Sequence, residues 1–405
     1  MKRLSLPLFF AVVWSGLTAV GAARDYQVTL PAAEVDRAGQ VVSFAVPEDG
    51  PRSPVLRDEA GRTIALQPGD SGTLSFIVPW QSAGQVLAFT LTEGQLPPAP
   101  GVSVVNQDGD LQVAVSDQTV FHYRTDPTRL PRSGIDPKIP RAGYLHPVFS
   151  PAGHVVTDDY PANHPHHHGI WAPWTKTSFQ GRSPDFWNMH AGTGAEHFVA
   201  LDRTWAGPVH GGLEARHEMT DLTAPSPLKV LDVTWRVTAY ALESTDRPAR
   251  MFDVVITHTC ATPDPLILPE YHYGGFGFRG AAGWNGPGEA VQFLTSEGIT
   301  DRIQGNNTRA RWCYVGGLLP GGVQAGTATL GHPDNFRAPQ PVRLHPNMPY
   351  FSFAPQQLGA FSIEPGRPHV MRYRFVVSDG APDRSRIDAF WHGYALPAKP
   401  VLSAR

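Results

Sequence analysis

The chain has 405 residues, well past the roughly 150 that serve as a prior for one domain, so two domains or one large β domain with an appendage are expected. Gly and Pro number 40 each and charged residues make up only 17%, which excludes long helices, while 10 Trp, 11 Tyr and 20 Phe exclude disorder. The formal charge of −3, from 33 basic and 36 acidic residues, leaves no basic surplus, so no nucleic-acid partner is expected.

At the amino terminus Lys2 and Arg3 precede an uncharged run from Leu4 to Val20 and the small residues Gly21, Ala22 and Ala23. This order predicts a signal peptide over residues 1–23 and a mature chain that is secreted or periplasmic. No later run reaches about 18 apolar residues, so no integral membrane association is expected.

Short alternating runs follow at Tyr26–Leu30, Val41–Val46, Thr63–Leu66, Thr73–Val78 and Val86–Thr92, separated by Gly- and Pro-containing turns. They predict a small accessory β domain over 24–96, closed by the proline-rich linker Gly94–Gly101. Beyond it, Leu111–Val115 and Val120–Tyr123 read as a hairpin, and Arg124–Asn188 as a long stretch with little strand periodicity. Strands resume at His197–Leu201, and Leu228–Leu242 alternates Leu231, Val233, Trp235, Val237 and Ala239 with polar neighbours. The run around Phe252, Val254 and Ile256 is expected to pair with it. Further strands are predicted at Ala310–Val315, Thr327–Leu330, Tyr350–Phe353, Ala360–Ile363 and Met371–Val377, with one helical stretch at Arg386–His392. The fold class is therefore all-β: a large antiparallel sandwich over 102–405 with a small N-terminal β-sandwich. Cys260 and Cys313 either pair or lie separately as small buried hydrophobes.

Histidine is the informative residue. Ten of the 17 fall between His146 and His217, four of them in Asn163-His164-Pro165-His166-His167-His168-Gly169-Ile170-Trp171. Pro161, Pro165 and Gly169 exclude a helix here, leaving an extended segment or a loop. If extended, the period of two puts His164, His166 and His168 on one face, where they could hold a divalent zinc, copper or iron ion. The alternatives are acid–base or substrate-binding histidines without metal, and a loop whose imidazoles bridge backbone groups. The spacing does not fit cupin, metallo-β-lactamase or cupredoxin ligand patterns.

Trp171, Trp174, Asp185 and Trp187 crowd the same region. Indole faces stack on sugar rings while Asp, Asn, Arg and His bond hydroxyls, so a sugar or polysaccharide ligand is expected. A second group, Glu270-Tyr271-His272-Tyr273 with the glycine-rich Gly274–Gly280, offers His272, Tyr273 and Arg279 beside His166 and His168 as catalytic candidates. Its glycines allow a bent backbone or a close ligand. A third, Gly331–Arg337, offers His332, Asn335 and Arg337 as substrate contacts, and His164 and Glu270 join that substrate-binding set.

These segments, with Asp159-Tyr160-Pro161, Ala310-Arg311-Trp312 and Tyr273–Arg279, resemble a bacterial secreted family catalogued as PmoA-like, or methane oxygenase. The name implies a membrane copper subunit, whose spans this sequence lacks. A fainter similarity, through Tyr144–Pro151, is to galactose-mutarotase-like sandwiches. It implies a cleft across one large sheet, with His as acid and a carboxylate as base. The function expected from the residues is a carbohydrate-active enzyme performing lysis, hydrolysis or epimerisation, or else a glycan-binding sandwich without turnover.

Overall fold

Period-two alternation dictates the sandwich. Along the strand Leu228–Tyr240, Leu231, Val233, Trp235, Val237 and Ala239 are buried together, while Asp232 and Arg236 face out. The strand Ala249–Cys260 pairs with it in full antiparallel register, Trp235 opposite Ile256 and Val237 opposite Val254. This pairing is the one expected from sequence, within a computed structural model that describes residues 24–69, 72–96, 101–243, 247–285 and 290–405. The expected signal peptide and linker residues 97–100 lie outside the described residues.

The protein is an all-β sandwich. One sheet has eight strands in the order Gly194–Trp205, His210–Asp221, Leu228–Tyr240, Ala249–Cys260, His369–Asp379, Val323–Gly331, Trp312–Leu319 and Val291–Thr295. The other has nine, in the order Arg309–Ala310, Gln340–Leu344, Tyr350–Phe353, Gly277–Arg279, Ile170–Trp171, Tyr144–Val148, Gln118–Arg124, Asp110–Val115 and Val102–Gln107. Between them lies the main core, where Ile170, Phe278 and Phe351 meet Trp235, Val254 and Phe375. Complete burial of such side chains, at about 25 cal/mol per Å² of apolar surface, is the principal stabilising term.

Both sheets also have a second buried face. On the nine-stranded sheet, Ile170 and Phe351 both stand opposite Phe278 and point into the sandwich, so Trp171 and Arg279 with its partner Tyr350 point the other way. There the long segment between residues 124 and 193 folds over the sheet, building a separate cluster of Ile139, Tyr144, Tyr160, Trp171, Trp187, Met348 and Tyr350. On the eight-stranded sheet, Met251, Tyr314 and Val376 are covered by Ala38 and by Ile387 and Phe390 of the helix Arg384–Ala395, whose N-cap Asp383 accepts from the Arg386 N–H. No helix among the described residues is long and apolar enough to cross a membrane.

The N-terminal strands form a five-stranded and a three-stranded sheet around a core of Val28, Leu30, Val42, Leu56, Phe76 and Leu91. The boundary read from sequence needs one correction. Val401–Ala404 pairs antiparallel with Tyr26–Thr29, so the chain's last strand belongs to the N-terminal sheet rather than to the large sandwich. Cys260 and Cys313 are both free thiols, the first half-buried with its Sγ 3.1 Å from the Ile363 carbonyl, the second buried in its strand.

Candidate functional site

The histidine segment is a pair of tight turns. His164 N–H donates to the Pro161 carbonyl at 3.0 Å and His167 N–H to the His164 carbonyl at 2.9 Å, so the extended alternative and its period-two face do not apply. The turns gather His164, His166 and His167, with ring centroids 4.8 to 5.7 Å apart, and send His168 elsewhere. His168 is buried between Tyr144 and Tyr160, its Nδ1 2.8 Å from Asp159 Oδ1, while Tyr144 Oη donates to Asp159 Oδ2 at 2.9 Å. A metal held by His164, His166 and His168 is therefore corrected: the three do not converge. Among the described residues no group of three His, Cys, Asp or Glu is arranged to hold a metal ion.

Two distant histidines join the cluster instead. His190 is the middle residue of the short turn Met189–Ala191 and lies 5.5 Å from His166; His345 follows the strand Gln340–Leu344 and lies 5.9 Å from His164. Sequence reasoning missed both, because each stands alone in its segment and only the long-range packing brings them in. His190 is exposed, His164, His166 and His345 are half-buried, and His167 is buried beneath them against Trp171 and Tyr350. Burial, then repulsion from neighbouring imidazoles, drives the His166 pKa down to about 3. Burial and Arg343 take His345 to about 4. His164 falls through burial and Arg279, so these rings are neutral at pH 7.

Arg279 closes one side. Its backbone is pinned between the Gly169 carbonyl (2.8 Å) and the Asp158 N–H (3.1 Å). Its guanidinium is fully buried, donating from Nη1 to Met348 Sδ at 2.9 Å and from Nη2 to Asn163 Oδ1 at 3.2 Å and Asn285 Oδ1 at 2.5 Å. Burial lowers its pKa to about 10, and it stays charged.

Tyr273 flanks the cluster. Its ring is 5.2 Å from that of Trp187 and its Oη accepts from Asn188 Nδ2 at 3.4 Å. Burial raises its pKa to about 12, so it keeps its proton at neutral pH. Asp185 orients Asn188: Oδ1 accepts from the Trp187 and Asn188 N–H groups and Oδ2 from Asn188 Nδ2 and Thr175 Oγ1. These four bonds give it a positioning role.

Other expected residues fall outside the cluster. Trp171, Trp174 and Trp187 are no more than 1% exposed, so no sugar ring can stack on them. The space beside the glycines of the second segment is filled by these indoles. A Cβ at Gly277 would meet Trp171 and Trp187 at 2.9 Å, and one at Gly275, where φ is +88°, would strike Trp174. Glu270 and His272 are exposed, and His272 stacks on Tyr271. In the third segment Asn335 exchanges two 2.8 Å hydrogen bonds with the Arg372 backbone, and Arg337 donates to the Pro355, Gly359 and Ala360 carbonyls. Both are structural ties. His332 lines a separate cavity of about 210 Å³ with Arg311, Phe353 and Trp391.

A family of unknown function (DUF6807) matches residues 110–392. The chain belongs to that family. The DUF6807 match spans every residue of the histidine cluster together with Arg279 and Tyr273, and leaves the strands before residue 110 and the last strand outside it. The DUF6807 description names neither PmoA-like nor mutarotase-like proteins, so the resemblances drawn from sequence add no activity. No curated protein matches the chain.

Proposed function

We propose that the protein is a secreted or periplasmic carbohydrate-active enzyme that performs lysis, hydrolysis or epimerisation at the outer face of the nine-stranded sheet. The observation that carries this reading is the convergence of His164, His166, His190 and His345 from three separate chain segments beside a buried arginine. Neutral imidazole accepts protons and bonds hydroxyls, a protonated tyrosine donates, and a guanidinium stabilises negative charge that develops on a sugar carbon or its substituent. In these roles His166 is the base, Tyr273 the donor and Arg279 the electrostatic partner.

A second reading, a glycan-binding sandwich without turnover, draws support from the low pKa values of His166 and His345. Such rings are weak bases and ready hydrogen-bond partners. The test is a panel of glycans and oxidised glycosides incubated with the full chain and with His166→Ala. Turnover by the wild type that falls at least about 100-fold in His166→Ala, with affinity within a few-fold, is the expected result for a general base. Affinity without turnover on any member of the panel would replace the enzyme with the binding module.

A further inference from the structure

Three arginines among the described residues are buried: Arg141, Arg279 and Arg374. Two are compensated. Arg141 is 3.0 Å from Glu196 and Arg374 is 2.7 Å from Asp253. Arg279 has only uncharged acceptors, the amide oxygens of Asn163 and Asn285 and the thioether of Met348, and its Nε has no partner. The neighbouring Asp158 makes no ion pair with it: its charge favours the guanidinium only from beyond hydrogen-bond reach, while burial raises that carboxyl's pKa. The groups facing this guanidinium from the other elements are His164, His167 and His345, which can only be neutral or positive, and Arg302 and Arg343 add positive potential near His345. A buried cation with no carboxylate in contact is costly, and one beside a partly exposed cluster is a place where an incoming anion is strongly stabilised.

We propose that Arg279 receives the carboxylate of an acidic sugar, so that the substrates are uronate-containing glycans. The sugar part rests on the carbohydrate reading above; the anion part rests on Arg279 alone. The Nε and Nη2 atoms form one edge of the guanidinium, the edge that grips a carboxylate through two parallel hydrogen bonds. On this edge Nε is unpartnered, and Nη2 donates to Asn285 at 2.5 Å and, at 3.2 Å, to Asn163, an exposed residue on the Pro161–His164 turn whose amide a carboxylate can displace. The hydroxyls of the same ring then meet His164, His166 and His345. A bound anion also favours protonated imidazole, so binding draws protons onto rings whose pKa values start near 3 and 4.

Calorimetry on the full chain tests this, with oligogalacturonate, the corresponding neutral galactose oligosaccharide and inorganic sulfate as titrants, in two buffers of different ionisation enthalpy. Oligogalacturonate should bind at least about tenfold tighter than its neutral counterpart, the ratio expected for a charge-assisted pair, with proton uptake below pH 6. Arg279→Gln should abolish that preference and Arg279→Lys retain part of it. Should Arg279→Gln fail to fold, Asn163→Asp decides, because the substitution is on an exposed turn and supplies the missing carboxylate from within. It should raise the melting temperature and cut oligogalacturonate affinity to the neutral level. Turnover of neutral sugars with no acidic preference would overturn the inference and leave the enzyme reading standing. Arg279-dependent oligogalacturonate binding without turnover would do the reverse. Sulfate binding as tightly as oligogalacturonate would overturn the sugar class, and no binding by any titrant would overturn both.

Discussion

Arg141, Glu196 and His217 link the sandwich interior to the turn that carries His190. Tyr123 Oη bonds His217 Nε2, His217 Nδ1 lies 3.1 Å from Glu196 Oε1, and Glu196 Oε2 pairs with Arg141 at 3.0 Å. From there Arg141 Nη2 reaches the Phe186 carbonyl and Met189 Sδ, the residue before His190. Burial works to raise the Glu196 carboxyl, but Arg141 and His217 outweigh it and hold it below its ordinary range. Glu196→Gln removes the counter-charge and leaves a buried cation, so it should destabilise the chain by about 3–5 kcal/mol, read as a shifted urea midpoint. A loss under about 1 kcal/mol would mean that the pair is not what neutralises Arg141. At this scale the sequence was a partial guide. It singled out the His164–His168 run and Arg279, yet adjacent imidazoles diverge completely: His167 packs on Trp171 and Tyr350, whereas His168 is tied to Asp159. Nothing local distinguishes them, because the turn geometry that separates the two follows from long-range packing.

Among the elements, strands with an unbroken apolar face were legible and those with polar residues turned inward were not. Leu228–Tyr240 and its pairing with Ala249–Cys260 follow directly from alternation. His210–Asp221 is as long, but it starts with His-Gly-Gly and places His217 inward between Ala215 and Met219, which breaks the apolar period. Two strands that position the site are among the shortest. Ile170–Trp171 and Gly277–Arg279 have two and three residues, too few for any period, and their register comes from pairing Ile170 with Phe278 and Phe278 with Phe351. The tryptophans were read as ligand platforms because an aromatic cluster in a loop region looks open in one dimension. In the fold they are the filling that lets the 124–193 segment cover the outer face of the sheet. The helix near the carboxyl terminus was legible, but the return of Val401–Ala404 to the first strand was not, since strand partners so distant in sequence carry no local mark.

For the molecule as a whole, buried histidines set the response to acid. His258 is fully buried in the sandwich with neither ring nitrogen partnered, and burial followed by His369 drives it to about 3. Burial takes His369 and His146 to about 4. In each case the folded pKa lies below the unfolded value, so the unfolded chain binds more protons. The stabilising contribution is complete above pH 6.5 and is lost as pH falls towards 3 to 4. His258 alone contributes a loss of about 3 kcal/mol between pH 6.5 and pH 4, at about 1.4 kcal/mol per pH unit. Urea midpoints should therefore be level above neutrality and decline steadily below pH 6.5; a midpoint unchanged down to pH 4.5 would refute neutral burial of these rings. The central claim is that the cluster of His164, His166, His190 and His345 beside Arg279 is where ligand is met. Its most direct measurement is the imidazole carbon–proton spectrum of the histidine-labelled chain, titrated with oligogalacturonate at pH 6.5. The account predicts shifts in those four rings with His332 and His210 unmoved, whereas shifts confined to His332 and its separate cavity, with the cluster silent, would contradict it.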